Sequence, residues 1–216
     1  MQYFQKLNLP YPLKDQNSYN QLLEEKKIPA SGQTLNCINN YNYDTGLGNY
    51  QLYVNQDLIK IFDSLNLTPF QVIVFGWADK KLGKTFVHSD IILNEEGNWE
   101  DFPAAINWEL VPSYIKMDWY DPTGIESFDP NTANYAPYQF RGRKYGARLN
   151  TDAAGLTLLE SYIATFGTPA LLRTDIPHQV KSISLAQKRM CLSIRFPKYQ
   201  IASYADALEI FKDHII

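Results

Sequence analysis

The sequence contains three histidines, and two of them, His88 and His178, have surroundings that could do chemistry. In the run Val87-His88-Ser89-Asp90 an imidazole and a carboxylate stand two residues apart. On a strand, both side chains project from the same face, where they can share one metal ion. The pair carries little weight alone. With 23 acidic residues among 216, each histidine has about a one-in-ten chance of an acid at a given offset, so three histidines give roughly one chance in three.

Two downstream features add to it. In TDIPHQV, Pro177 holds the approach to His178 extended and so sets how that side chain enters a following strand. Arg189, eleven residues after His178, opens the run RMCLSIRF. A guanidinium there can grip a carboxylate through two parallel hydrogen bonds. Lys188 competes for that role, but neighbouring strand positions face opposite sides, which favours Arg189. Other candidates have structural readings beside their functional ones. Arg173 could meet a ligand or pair with Asp175, and Asn107 could donate to a ligand inside a barrel or satisfy backbone groups. Trp108 and Trp119 read as core, and His214 as a helix-end residue. The cluster Arg141, Arg143, Lys144 and Arg148 reads as a solvated basic face, with an anion-recognising lid as the functional alternative.

The elements that must position these residues are mostly strands. Short β-rich runs begin at Gln71 (QVIVFGW), Ala104 (AAINWEL), Tyr114 (YIKMDWY), Pro169 (PALLRT) and Arg189. In YIKMDWY the alternation sets Ile115, Met117 and Trp119 on one face and Lys116, Asp118 and Tyr120 on the other, as in an antiparallel strand with one face on a core. Helices are expected at Ser18 to Lys27, with Ser18 as N-cap, and at Asn55 to Leu65, where Leu58, Ile59, Phe62 and Leu65 share a face. A last helix, Tyr204 to Asp213, would cover a sheet with Ala205, Leu208 and Phe211. Strands without interleaved helices point to a sandwich or barrel with helices outside rather than a parallel α/β sheet. The stretch 121–150 reads as one long loop, functional or concealing strands.

Bulk properties narrow the function classes. A chain of 216 residues, 45% hydrophobic and 20% charged, suits one domain, 1–216, with a sizeable core. The net charge of −3 supplies no long-range positive field, so nucleic acid is not favoured as a partner. The residues after Met1 lack a signal-peptide pattern, and the longest apolar run, Val72 to Phe75, is too short to span a membrane. Cys37 and Cys191 are too far apart for a thiolate motif, so a cytoplasmic, reducing location is expected.

Taken in order, VHSD, PHQV and Arg189 resemble the HxD…H…R pattern of the Fe(II)- and 2-oxoglutarate-dependent oxygenases. The likeness is nearest to phage-type and prolyl or aspartyl/asparaginyl hydroxylase-like members, and it covers Val72 to Phe196. It implies a mainly β fold with flanking helices, a double-stranded β-helix (jelly roll, cupin-like) with its core at about 70–197. It also implies that His88, Asp90 and His178 form the catalytic metal triad for Fe(II). Arg189 would hold 2-oxoglutarate, with Asn107 and Arg173 as further candidates for cosubstrate contact. With O2, such a site couples decarboxylation of the cosubstrate to hydroxylation of a small-molecule or peptide substrate. One departure is Cys191, which stands where many relatives have serine two residues after the arginine; Ser193 lies one alternation further. Two other readings stay open: a silent jelly-roll binding or structural module, and a cupin-like metal enzyme that does not use 2-oxoglutarate.

Overall fold

The computed structural model describes residues 2–15, 33–37, 54–77, 87–93, 99–121, 135–140, 143–148, 156–183 and 189–216. Strands are numbered in chain order. The element that organises the molecule is β13 (Arg189–Arg195), all seven of whose residues are buried. Its sequence alternates: Met190, Leu192 and Ile194 point one way, and Arg189, Cys191, Ser193 and Arg195 the other. A strand with neighbours on both sides and cover on both faces must place both sets out of water, and β13 does so in the middle of a six-stranded sheet. The order of that sheet is β1 (Phe4–Lys6), β11 (Ala170–Arg173), β6 (Ala104–Glu109), β13, β3 (Gln71–Trp77) and β2 (Gln33–Cys37).

A three-stranded sheet, β10 (Leu158–Ile163), β7 (Ile115–Tyr120) and β12 (His178–Ser182), lies against one face of it. Ile115, Met117, Trp119, Tyr162 and Val180 from the small sheet form one apolar cluster with Ala170 and Leu172 from the large one. The alternation expected in YIKMDWY is therefore the observed one. The opposite face of the large sheet, with Ile106, Trp108, Leu171, Leu192 and Ile194, packs in a second cluster with the helices. A third sheet has the order β5 (Trp99–Asp101), β4 (Asp90–Leu93), β9 (Arg143–Arg148) and β8 (Tyr135–Phe140). All pairings within these sheets are antiparallel. The fold is mainly β with flanking helices, a jelly roll.

Two α-helices are described. In α1 (Gln56–Ser64), Asn55 caps the N-terminus by accepting from the Asp57 backbone N–H, and Leu58, Ile59 and Phe62 are buried. The Phe62 ring meets Phe196 edge-on at 5.2 Å, joining the helix to the end of β13. In α2 (Tyr204–Ile210), Ser203 caps by accepting from the Asp206 N–H. This helix stops three residues earlier than expected, followed by a 3-10 turn at Lys212–His214. Its buried positions are Tyr204 and Ala207, continued by Phe211, while Ala205 faces solvent. Leu208, partly buried, still packs against the core with Phe211, so of the three expected positions Ala205 alone faces away. The stretch 121–150 also differs from a bare loop, because β8 and β9 pair as a hairpin within it. The helix expected at 18–27, Lys188 and Arg141 lie outside the described residues, as do the side chains of Arg143, Lys144 and Arg148. Among the described residues, no helix is long and apolar enough to cross a membrane.

Candidate metal centre

His88 and His178 are ninety residues apart in sequence and directly opposite each other in space. Their backbones exchange two hydrogen bonds, His88 N–H to His178 O at 2.9 Å and His178 N–H to His88 O at 2.7 Å. The two rings lie 4.4 Å apart between centroids. Asp90, at the start of β4, is locked by its own backbone, which donates to Thr174 O at 2.8 Å and accepts from Phe102 N–H at 3.0 Å. The i, i+2 spacing then does what strand geometry requires, bringing Asp90 Oδ1 to 3.7 Å from His88 Nε2. One ligand atom from each of His88, Asp90 and His178 lies within 4.8 Å of the other two. Two imidazoles and one carboxylate are the donor set of a 2-His-1-carboxylate site, and the group could hold one divalent ion.

The supporting contacts suit that use. His178 Nδ1 lies 2.9 Å from the Ile176 carbonyl, which can only accept, so Nδ1 carries the proton and the Nε2 lone pair is left for a cation. Pro177 sits between these two residues, as the extended approach to His178 requires. Burial drives the pKa of His178 down to about 3, with His88 and Arg195 adding to the shift and Asp90 opposing it. Burial alone would push Asp90 up, but Arg195, with the two imidazoles, holds its carboxyl below the ordinary value. The neutral imidazole and ionised carboxylate are the protonation states a metal needs. Arg195 Nη2 lies 2.6 Å from Asp90 Oδ2, both residues are under 10% exposed, and the guanidinium stacks on the Phe102 ring at 5.5 Å. One carboxylate oxygen is thus held by arginine while the other faces the histidines.

The triad opens onto a cavity between the sheets, lined also by Asn107, Thr174, Arg189, Ser193 and Arg195. Of the other sequence candidates, Asn107 and Arg189 reach this cavity and Arg173 does not. Arg173 pairs with Asp175 at 2.7 Å and lies over the Tyr3 ring. Arg189 is engaged as well: its Nε and Nη2 donate to Glu109 Oε1 at 3.1 and 3.0 Å, and Glu109 Oε2 accepts from Ser113 at 3.0 Å. Burial disfavours the charged guanidinium, yet Glu109 outweighs it and keeps the pKa of Arg189 above its ordinary value. Trp108 and Trp119 are fully buried core residues, and Trp119 Nε1 donates to Arg173 O at 2.7 Å.

Sequence reasoning missed Glu109, Ser193 as a cavity residue, and Arg195. The signal was available in the period of two. Counting from Arg189 along β13 reaches Ser193 and Arg195 on the same face, and counting from Asn107 along β6 reaches Glu109.

No family model and no curated protein matches the chain. Among solved structures, the non-haem α-ketoglutarate-dependent carbocyclase SnoK from nogalamycin biosynthesis superposes with a TM-score of 0.50 at 11% identity, covering 90% of this chain and 79% of that one. The α-ketoglutarate-dependent epimerase SnoN from the same biosynthesis gives 0.43 at 11% identity over 89% of this chain and 77% of that one. Hydroquinone 1,2-dioxygenase from Sphingomonas sp. TTNP3 gives 0.35 at 11% identity, over 59% of this chain and 60% of that one, so the chain spans less than two thirds of its length. At such identities the likeness concerns the fold.

Proposed function

We propose that this protein is a non-haem Fe(II)- and 2-oxoglutarate-dependent oxygenase, a hydroxylase of a small-molecule or peptide substrate. The observation that carries the reading is the convergence of His88, Asp90 and His178 at one cavity, from segments ninety residues apart. Ferrous iron held by these three residues, with 2-oxoglutarate and O2, would supply the oxidising power for a C–H bond.

The chain's own residues prepare the site in three ways. The Ile176 carbonyl orients the His178 ring, Arg195 fixes which oxygen of Asp90 is offered, and Met117 and Val180 of the apolar cluster between the sheets line the cavity beside them. Charge balance supports an anionic ligand. Arg189 and Arg195, which line the cavity, are offset by Glu109 and Asp90. A divalent ion would therefore leave two positive charges in a low-dielectric interior, matched by a dianion such as 2-oxoglutarate.

The test is anaerobic titration of the purified protein with Fe(II), followed by aerobic assay of succinate formed from 2-oxoglutarate. One ferrous ion per chain and succinate release are expected, and His178→Ala should abolish both. Absence of iron binding together with absence of turnover would reject the reading. One observation favours a second reading, a cupin-like metal enzyme that does not use 2-oxoglutarate: the Arg189 guanidinium that the resemblance assigns to the cosubstrate is engaged by Glu109. In that case a paired Arg189→Met/Glu109→Gln variant, which leaves no buried charge unpartnered, keeps its metal-dependent activity with no 2-oxoglutarate supplied.

A further inference from the structure

The cavity beside the triad contains a pair of polar side chains whose hydrogen bonding is incomplete. Asn107 on β6 and Ser193 on β13 are cross-strand partners, and both line the cavity with His88, Asp90 and His178. Asn107 Oδ1 and Ser193 Oγ are buried without a hydrogen-bond partner, and Ser193 is 0% exposed. Buried polar atoms in folded proteins are almost always bonded, so two adjacent exceptions facing one cavity mark the place of something absent from the chain itself. Thr174 and Glu109, beside them, are provided for. Thr174 Oγ1 donates to Phe102 O at 2.6 Å, and Glu109 accepts from both Arg189 and Ser113.

We infer that Asn107 and Ser193 form the subsite that receives a carboxylate of the metal-chelating 2-oxo acid, the role that the family resemblance gives to Arg189. This rests on the oxygenase reading above. Ser193 Oγ–H can donate to a carboxylate oxygen, and a half-turn of the Asn107 amide, whose oxygen and nitrogen have the same shape, presents its N–H group to the same ligand. Arg195 stands two residues along the same face of β13, with its guanidinium held by Asp90. The Glu109-bound edge of Arg189 offers the reverse environment. A ligand carboxylate brought there would meet Glu109 at close range among buried groups, where like charges repel strongly.

The experiment is calorimetric titration of 2-oxoglutarate into the full chain loaded with Mn(II) under anaerobic conditions, for wild type and for Ser193→Ala, Asn107→Leu and the paired Arg189→Met/Glu109→Gln, which leaves no buried charge unpartnered. Neither Ser193→Ala nor Asn107→Leu removes a formed hydrogen bond, so each should keep the wild-type melting temperature or exceed it, with Mn(II) affinity unchanged. Each should weaken 2-oxoglutarate binding at least fivefold, and the paired variant should change it less than twofold. The assignment is overturned if Ser193→Ala and Asn107→Leu bind within twofold of wild type, or if the paired variant loses binding fivefold or more, since Arg189 is then the seat. Loaded wild type that binds no 2-oxoglutarate overturns the assignment and the cosubstrate reading together, which separates that failure from the first.

Discussion

The protonation of His178 is the most informative property of any single residue here. Unfolded, its imidazole takes up a proton near pH 6.5; in the native chain, burial first and then His88 and Arg195 delay this to about pH 3. Between these values the unfolded state binds more protons than the folded one, so stability rises with pH across the window and is lost as pH falls through it. For one group the slope approaches about 1.4 kcal/mol per pH unit. Asp90, held below its ordinary value, acts in the same direction at the acid end, because its ionised form is favoured by the native Arg195 contact. Urea denaturation of the metal-free protein at pH 7, 5.5 and 4.5 should show a steady loss of stability. His178→Asn should flatten the profile over this range, and a profile unaltered by that change would mean His178 is not held neutral by the fold.

At the scale of the element, β13 shows how one strand can serve both a core and a site. Leu192 is 0% exposed and is paired with Trp108 of β6 and Val74 of β3. Its neighbour Ser193 turns to the cavity instead. Adjacent residues of equal burial therefore carry unlike burdens. Leu192→Ala should destabilise the protein by about 2–5 kcal/mol through lost transfer energy and a residual cavity, measured by chemical denaturation. The same measurement on Ser193→Ala should fall within about 0.5 kcal/mol of wild type, because no formed bond is deleted. Equal losses at both positions would contradict the two-faced description of the strand.

At the scale of the whole molecule, the triad joins segments that the chain keeps far apart. His88 and Asp90 belong to the entry of β4, and His178 opens β12 on the small sheet. A metal ion bound to all three would bridge those elements in the native state and find no such arrangement in the unfolded chain. Ligands that bind only the folded form stabilise it by mass action, by about 2.7 kcal/mol at one hundred times Kd. Thermal unfolding with saturating Co(II) should therefore shift upward and return on chelation. The shift should vanish in His88→Ala and His178→Ala, with Arg173→Ala unchanged, since Arg173 lies outside the cavity.

By itself the sequence determined the local terms. The alternation in YIKMDWY marked a strand and its faces, RMCLSIRF read as a strand, Asn55 marked a helix start, and the spacing of His88 and Asp90 placed two donors on one side. These features follow from periods of two and 3.6 residues and from backbone groups seeking nearby partners, all of which operate within a few residues. The three-dimensional fold decided what depends on register between distant strands. It set His178 opposite His88, brought Glu109 onto Arg189, gave Arg195 to Asp90, and left Asn107 and Ser193 facing a cavity. Which buried charge meets which partner is a property of that packing. A guanidinium in a dry interior must be neutralised by whatever carboxylate the sheet brings within reach, and no spacing along the chain specifies that neighbour.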